Sequence, residues 1–372
     1  MNKNIKVLQV NKLYWPHIGG IETVVQQLVD FLKIDSIIKS DILVCQKKGP
    51  RVVENINGVK VYRAASWGIF LSLPISFDFF FLFNKIFREY DLIIFHQPFP
   101  LSSLARLFFT KKGQKTICWY HSDIVRQRFL KFFINPIICW DLKKVDMIIV
   151  SSKRIINSSK ILKKFSDKCR VIPFGIDPAN YSNDYSKEVD QIKNKYGRFF
   201  LAVGRLVYYK GYFDLIKAMR TASGRLIIIG NGPLKESLNK LISDYKLNDR
   251  VIILDYQENL IPYYQACDFF VFPSIANSEA FGLVQVEAMM CGKPVINTNL
   301  STGVPEVSIN NETGITVAVH DIEALSSAIK KLWYNDQLRL FMGMKAKERA
   351  NEFFSIGVFR EKFLQTLSSL FD

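Results

Sequence analysis

Short β-rich apolar runs alternate with amphipathic stretches along the whole of this chain, and the alternation stops and restarts once. In the first half the candidate strands are Ile5–Val10, Asp41–Cys45, Val59–Tyr62, Leu92–His96, Thr116–Tyr120, Met147–Val150 and Arg170–Ile172. Helical spacing falls between several of them, at Ile21–Leu32 and Lys153–Lys163. The second half offers Phe199–Val203, Leu226–Ile229, Val251–Leu254, Phe269–Phe272, Pro294–Asn297 and Gly314–Val317. Strands spaced by helices imply parallel pairing through crossovers, so the fold class is α/β, doubly wound. The polar stretch 173–197 reads as a linker, which divides the chain into a domain at 1–172 and a domain at 198–351. A separate helical pattern at 352–372 (Phe353, Phe354, Val358, Phe359, Phe363, Leu364, Leu367) is expected to cross back to the first domain. Two such domains facing a central cleft would present the carboxyl ends of both sheets to a ligand.

With 372 residues, 49% of them hydrophobic, the chain can bury two cores of ordinary size. Its most apolar run, Trp67 to Phe83, contains Pro74 and Asp78 and is too short to span a bilayer. The N-terminus lacks a signal-peptide core and reads as a first strand, so a cytoplasmic location is expected. Six cysteines (Cys45, Cys118, Cys139, Cys169, Cys267, Cys291) show no paired metal-ligand spacing and read as buried free thiols.

The net charge of +16 is lopsided: residues 1–172 hold 28 Lys/Arg against 12 Asp/Glu, and residues 173–372 hold 22 of each. Residues 101–172 alone carry 16 basic and 4 acidic side chains. Whatever this half touches is therefore anionic: nucleic acid, an acidic acceptor or a membrane surface. No helix-turn-helix, zinc-ligand or RNA-binding pattern occurs, so nucleic acid is not the expected partner. The segment 124–144 mixes Arg126, Arg128, Lys131, Lys143 and Lys144 with Phe129, Leu130, Phe132, Phe133 and Trp140. Such a helix could lie on an anionic membrane, each basic residue contributing about 1 kcal/mol. The alternative is a core helix with a solvated charged face.

Glu279 and Glu287 stand eight positions apart with Gly282 between them. A helix beginning near Phe281–Gly282 puts Glu287 inside it and Glu279 just ahead of its N-terminus. A carboxylate and a row of free backbone N–H groups then face one ligand, which suits hydroxyls and phosphates together. Gly19–Gly20, after the first strand, allows a close backbone approach, although the third spaced glycine of the dinucleotide fingerprint is missing and an ordinary turn is the alternative. Arg205 and Lys210 follow the first strand of the second half, where a fork and a mobile point charge can converge on one anion or face solvent. A further glycine turn, Gly230 and Gly232 in IIIGNGPL, follows the next strand. His96 and His121 both sit at strand ends, whereas His17 and His320 read as surface or turn residues.

GGIE, VIPFGID, GRLVYYKG, IGNGP, FPSIANSEAFGLVQVEAMMCGKPVI and ETGITV occur in that order. Together they resemble the retaining nucleotide-sugar glycosyltransferases of family 4, which have the GT-B fold of two Rossmann-like domains facing a central cleft. The resemblance implies that Arg205 and Lys210 hold the donor diphosphate, Glu287 the ribose hydroxyls and Glu279 a hydroxyl of the transferred sugar. Backbone from Phe281 through Gly282 and Leu283 to Val284 would contact phosphates and sugar, and Gly19–Gly20 would approach the diphosphate from the other domain. His121 would lie beside the sugar, completing a catalytic set with Arg205, Lys210 and Glu279, and His96 is a candidate for the acceptor pocket. The stretch NTNLSTGVPEVS resembles bacterial mannosyltransferases of surface polysaccharide assembly, which makes GDP-mannose the expected donor and a polyprenyl-diphosphate-linked saccharide the expected acceptor. UDP- or dTDP-sugars stay open as donors, as do an epimerase and a catalytically inactive binding subunit. No Asp-x-Asp sequence occurs, so metal-independent transfer is expected, with no cofactor besides the nucleotide-sugar substrate.

Overall fold

The computed structural model describes residues 5–17, 19–33, 38–71, 73–122 and 128–371, except for the side chains of 128–133. The chain divides into two compact units, Met1–Ile172 with Arg360–Asp372, and Pro173–Phe359.

The first unit is built on β1 (Ile5–Val10), β2 (Ile38–Cys45), β3 (Val52–Ile56), β4 (Val59–Ala64), β7 (Leu92–Gln97), β8 (Lys115–Tyr120), β9 (Met147–Val150) and β10 (Cys169–Val171). Between β4 and β7 a separate two-stranded hairpin, β5 (Gly68–Phe70) and β6 (Leu73–Ile75), stands apart from the main sheet. The main sheet has the order β10-β9-β8-β7-β1-β2-β4-β3. All neighbours are parallel except β3 and β4. All six residues of β7 are buried, as expected of a parallel strand covered on both faces. Edge strand β3 alternates between exposed and half-buried positions, and it joins β4 through Asn57 and Gly58, both at positive φ (51° and 83°). The sequence pattern did not reveal β3, β5 or β6.

The second unit has six parallel strands, β11 (Phe200–Val203), β12 (Leu226–Ile229), β13 (Val251–Leu254), β14 (Phe270–Phe272), β15 (Val295–Thr298) and β16 (Gly314–Val317). Their order is β13-β12-β11-β14-β15-β16. Its core includes Phe200 stacked on Phe269 with ring centroids 4.8 Å apart. In both sheets the strand order reverses beside one strand, β1 between β2 and β7, and β11 between β12 and β14. Crossovers leave such a point toward opposite faces and open a crevice at the carboxyl ends.

Two stretches differ from their sequence reading. The expected linker 173–197 is not free chain: it carries a 3-10 turn, Pro178–Tyr181, and the helix Ser186–Tyr196, which buries Ile192 and Tyr196 within the second unit. Only two of its side chains are buried, too few to show as a pattern. The C-terminal pattern is split by extended Ser355, so that Glu352–Phe354 end the helix Asp336–Phe354 and a new helix spans Ile356–Phe371. That last helix starts in the second unit and ends in the first, where Phe363 packs on Phe31 and Trp119. Finally, the basic aromatic segment forms the helix Arg128–Lys144, which buries Ile134, Ile138, Asp141 and Leu142 and exposes Lys143 and Lys144. From Ile134 onward it matches the second of the two readings, a core helix with a solvated face; Arg126 and the side chains of Arg128, Phe129, Leu130, Lys131, Phe132 and Phe133 lie outside the described residues. Among the described residues no helix is long and apolar enough to cross a membrane.

Candidate active site

In the second unit, β11 ends at Val203, and the chain turns through Gly204 and Arg205 into a 3-10 turn, Tyr208–Lys210. Gly211 then opens the helix Tyr212–Ala218 with φ +70°. A Cβ at Gly211 would lie 1.9 Å from the carbonyl oxygen of Pro273, the residue after β14. Glycine is therefore what lets the loops after β11 and β14 touch across the switch point. The contact brings together side chains far apart in sequence. Lys210 Nζ lies 2.6 Å from Glu279 Oε2, and it sits 4.8 Å over the Phe272 ring. Both side chains of this pair are only 12–13% exposed, so the charges attract each other with little water to screen them. The Ser274 hydroxyl donates to the same Glu279 oxygen. Arg205 is exposed, and among the described residues no carboxylate pairs with it. The sequence placed the two cations together on an anion; it did not show that Glu279 holds one of them.

Glu279 leads into Phe281 and Gly282 and then the helix Leu283–Met290. Gly282 has φ +83°, and a Cβ there would come within 2.7 Å of the Phe272 ring. Phe281 is buried between Phe174 and Phe354 in edge-to-face contacts. Leu283 and Val284 form the first turn, whose N–H groups have no intrahelical acceptor. A fully buried Gln285 clamps this corner: its amide donates to the carbonyls of Phe281 (3.0 Å) and Val304 (3.4 Å) and accepts from Asn297 (3.0 Å). Glu287 accepts a 2.7 Å bond from the Tyr264 hydroxyl. Burial pushes its carboxyl above the ordinary range, opposed by that bond and by the charge of Lys210. Gln285, Asn297 and Tyr264 escaped the sequence reading; the available signal was a glutamine two residues before Glu287 in a helical run that is apolar apart from these two.

In the first unit, Gly20 opens the helix Gly20–Lys33, and the Gly19 carbonyl accepts from both the N–H and the hydroxyl of Thr23. A Cβ at Gly19 would approach the buried Glu22 carboxylate to 2.4 Å, whereas one at Gly20 would meet nothing within 4 Å. Gly20 is thus not required by packing.

His121 follows β8 and is buried together with His96 of β7. His121 Nε2 and His96 Nδ1 are 3.0 Å apart, His96 Nε2 is 3.0 Å from Gln9 Oε1, and the Gln9 amide donates to Ser40 Oγ. Gln9 Oε1 can only accept, so His96 carries its proton on Nε2 and accepts at Nδ1 from His121 Nε2–H. That leaves His121 Nδ1 as an acceptor. Burial lowers the His96 pKa to about 3 and also lowers that of His121, with His96 and Lys12 adding repulsion. Both imidazoles are neutral at physiological pH. Because the folded values lie below the unfolded one, this pair adds stability above an unfolded value of about 6.5 that is lost as the pH falls toward the folded values. The first unit should therefore become less stable as the pH falls below about 6.5. Hydrogen exchange of β1, β7 and β8 amides at neutral and mildly acid pH measures this, and a His96→Gln variant should flatten the dependence. His17 is exposed, and His320, also exposed, bonds Asp214 at 2.7 Å.

Residues 18–180 match glycosyltransferase family 4, and residues 186–349 match the glycosyl transferases group 1. The D-rhamnosyltransferase WbpZ of Pseudomonas aeruginosa is 31% identical over 94% of this chain and 92% of its own. The O-antigen chain mannosyltransferase C of Escherichia coli is 29% identical over 99% of both chains. An N-acetylgalactosaminyltransferase of Campylobacter jejuni, whose name specifies a diphospho-undecaprenol-linked saccharide, is 28% identical over 78% of this chain and 80% of its own. Among solved structures, a sucrose-phosphate synthase from Thermosynechococcus elongatus superimposes with a TM-score of 0.82 at 23% identity, covering 99% of each chain.

Proposed function

Because the chain belongs to the family 4 glycosyltransferases and has their GT-B fold, we propose that it transfers mannose from GDP-mannose, with retention of configuration, to a polyprenyl-diphosphate-linked saccharide in bacterial O-antigen or related polysaccharide assembly. The observation that carries this reading is the gathering of Arg205, Lys210, Glu279, Gly282 and Glu287 around one switch point of the second unit.

Each group has a task that its surroundings suit. The difficult event is separation of a negative diphosphate from a sugar that becomes oxocarbenium-like, so charge must be met where it develops. Exposed Arg205 offers a bidentate fork, Lys210 a point charge, and the turn at Gly282–Val284 its free N–H groups. Glu279 accepts from a hydroxyl of the transferred sugar while steadying Lys210, and Glu287 accepts from the ribose hydroxyls. Phe281 and Leu283 set the backbone path. From the first unit, Gly19–Gly20 approach the diphosphate, and His121, held neutral with its Nδ1 an acceptor, takes a sugar hydroxyl. In a front-face reaction the bond from the anomeric carbon to the diphosphate oxygen breaks as the bond to the acceptor oxygen forms. The acceptor proton passes to the departing diphosphate, so no enzymic base is needed. Two cations without an Asp-x-Asp sequence support metal-independent transfer.

The mannose assignment follows the Escherichia coli relative, the lipid-linked acceptor the Campylobacter relative, and a place at the cytoplasmic face of the membrane follows the basic first half. The purified protein, given GDP-mannose and a polyprenyl-diphosphate-linked saccharide, should release GDP and form a glycoside of retained configuration. Inversion overturns the mechanism. Release of UDP or dTDP from a UDP- or dTDP-sugar, with no GDP from GDP-mannose, moves the donor, and change of the donor sugar without acceptor moves the reaction class. Binding of none of GDP, UDP, ADP or dTDP would leave an inactive subunit as the surviving reading.

A further inference from the structure

The helix Asp78–Ile86 is apolar on nearly every side, with the sequence DFFFLFNKI. A helix of that kind is normally enclosed, yet only one face is: Phe79, Leu82, Phe83 and Ile86 enter the core of the first unit. The other face continues Phe77, Phe81, Lys85 and Arg88, spaced to lie along one side and all exposed. Beside it stands the β5–β6 hairpin, paired Gly68 with Ile75 and Phe70 with Leu73, which leaves Phe70, Leu71 and Ile75 in solvent. The Trp67 and Phe77 rings meet edge to face at 5.5 Å and join hairpin to helix. Trp67, Phe70, Phe77 and Phe81 are each 64–72% exposed. Isolated exposed apolar residues are ordinary, but a contiguous aromatic patch marks a surface that is covered in use.

The charges around the patch indicate what covers it. Gly49 bridges Ser66 at the root of the hairpin, which brings exposed Lys47 and Lys48 to one side, while Lys85 and Arg88 flank the helix. Of the acidic groups in the same stretch, Asp78 is paired with Arg51 and Glu54 with Arg63, leaving exposed Glu89. Trp and Phe rimmed by Lys and Arg is the composition of a surface that settles into the headgroup region of an anionic bilayer. A second copy of this chain is a poorer cover, because a two-fold contact would set the same lysines against each other.

We propose that the hairpin Gly68–Ile75 and the outer face of the helix Asp78–Ile86 form a docking surface for anionic phospholipid. This deepens the lipid-linked acceptor reading and rests on it for its purpose, placing attachment at 67–88 rather than in the basic segment 124–144. The full chain should sediment with vesicles of equal parts phosphatidylglycerol and phosphatidylethanolamine and not with phosphatidylcholine alone. A Phe70→Ser, Phe81→Ser variant should bind about tenfold more weakly for each aromatic removed. Lys47→Glu with Lys48→Glu should weaken binding at low salt and little at high salt. Both variants change exposed residues, so an unchanged unfolding midpoint is the check on folding. The proposal is overturned if wild type ignores anionic vesicles, if the Phe variant binds as wild type does, if loss follows Arg128→Ala with Lys131→Ala instead, or if the Phe variant only converts a dimer to a monomer. Transfer to a detergent-dispersed acceptor is assayed separately: vesicle binding lost through Phe70 and Phe81 with no transfer detected would sink the function proposed above and leave the docking surface standing.

Discussion

Lys210→Ala should lower the rate of sugar transfer about 100- to 1000-fold, the usual cost of removing a preorganised group that stabilises developing charge. The structure adds a second consequence that separates this variant from Arg205→Ala. Lys210 is paired at 2.6 Å with Glu279 where both are largely buried. Its removal strands that carboxylate, whose Oε2 then keeps, among the described residues, only the 3.4 Å bond from Ser274, and should cost about 1–3 kcal/mol of stability. Arg205 is exposed and, among the described residues, has no ionic partner, so Arg205→Ala should lose a similar factor in rate while leaving stability unchanged. Initial rates with the nucleotide sugar, set beside urea unfolding of the same proteins, read both quantities. Adding Glu279→Gln to Lys210→Ala should restore stability but not rate. A Lys210→Ala enzyme within tenfold of wild type would end the leaving-group role given to this lysine.

The second large effect is expected at Gly211. Alanine there combines a backbone at φ +70° with a Cβ 1.9 Å from the Pro273 carbonyl oxygen, and neither the loop after β11 nor the end of β14 can yield without moving the other. Gly211→Ala should cost about 2–4 kcal/mol, and activity should fall further than stability alone predicts, because the same contact seats Lys210 against Glu279. Gly20→Ala is the informative contrast. A Cβ at Gly20 meets open space at the first helical position, so stability should be unchanged or higher by about 0.4–1 kcal/mol. If donor diphosphate approaches this backbone as proposed, transfer should nevertheless fall. Equal activity in Gly20→Ala and wild type would remove Gly20 from the donor site.

Much of the architecture was legible because its signals are local. Alternation of apolar runs with helical spacing located thirteen strands to within a few residues, since burial on both faces forces continuous β-branched runs such as LIIF in β7 and LIII in β12. The misses have specific causes. Edge strand β3 packs on one side only and lacks an apolar run, although Asn57-Gly58 was a readable turn. The helix Ser186–Tyr196 buries two side chains among eleven residues and so resembles a polar linker. Ser355 interrupts what looks like one helical stripe, because the carbonyl of Phe354 and the N–H of Ile356 both bond Ile176 instead of continuing the helix.

The sequence alone determined the class of sheet, the two-part organisation, the helix that starts at Gly282 and the residue types able to meet a nucleotide sugar, because periodicity and turn chemistry act within a few residues. Only the tertiary structure decided which of those residues touch. Lys210 meets Glu279 because β14 lies beside β11 while β12 and β13 pass to the other side. His96 sets the proton of His121 because β7 and β8 are neighbours in register, with His96 opposite Trp119. The outer face of Asp78–Ile86 stands open because the core beneath that helix is already filled from its other side. Contacts of this kind depend on strand order and on which face of an element finds a partner, and a one-dimensional pattern carries neither.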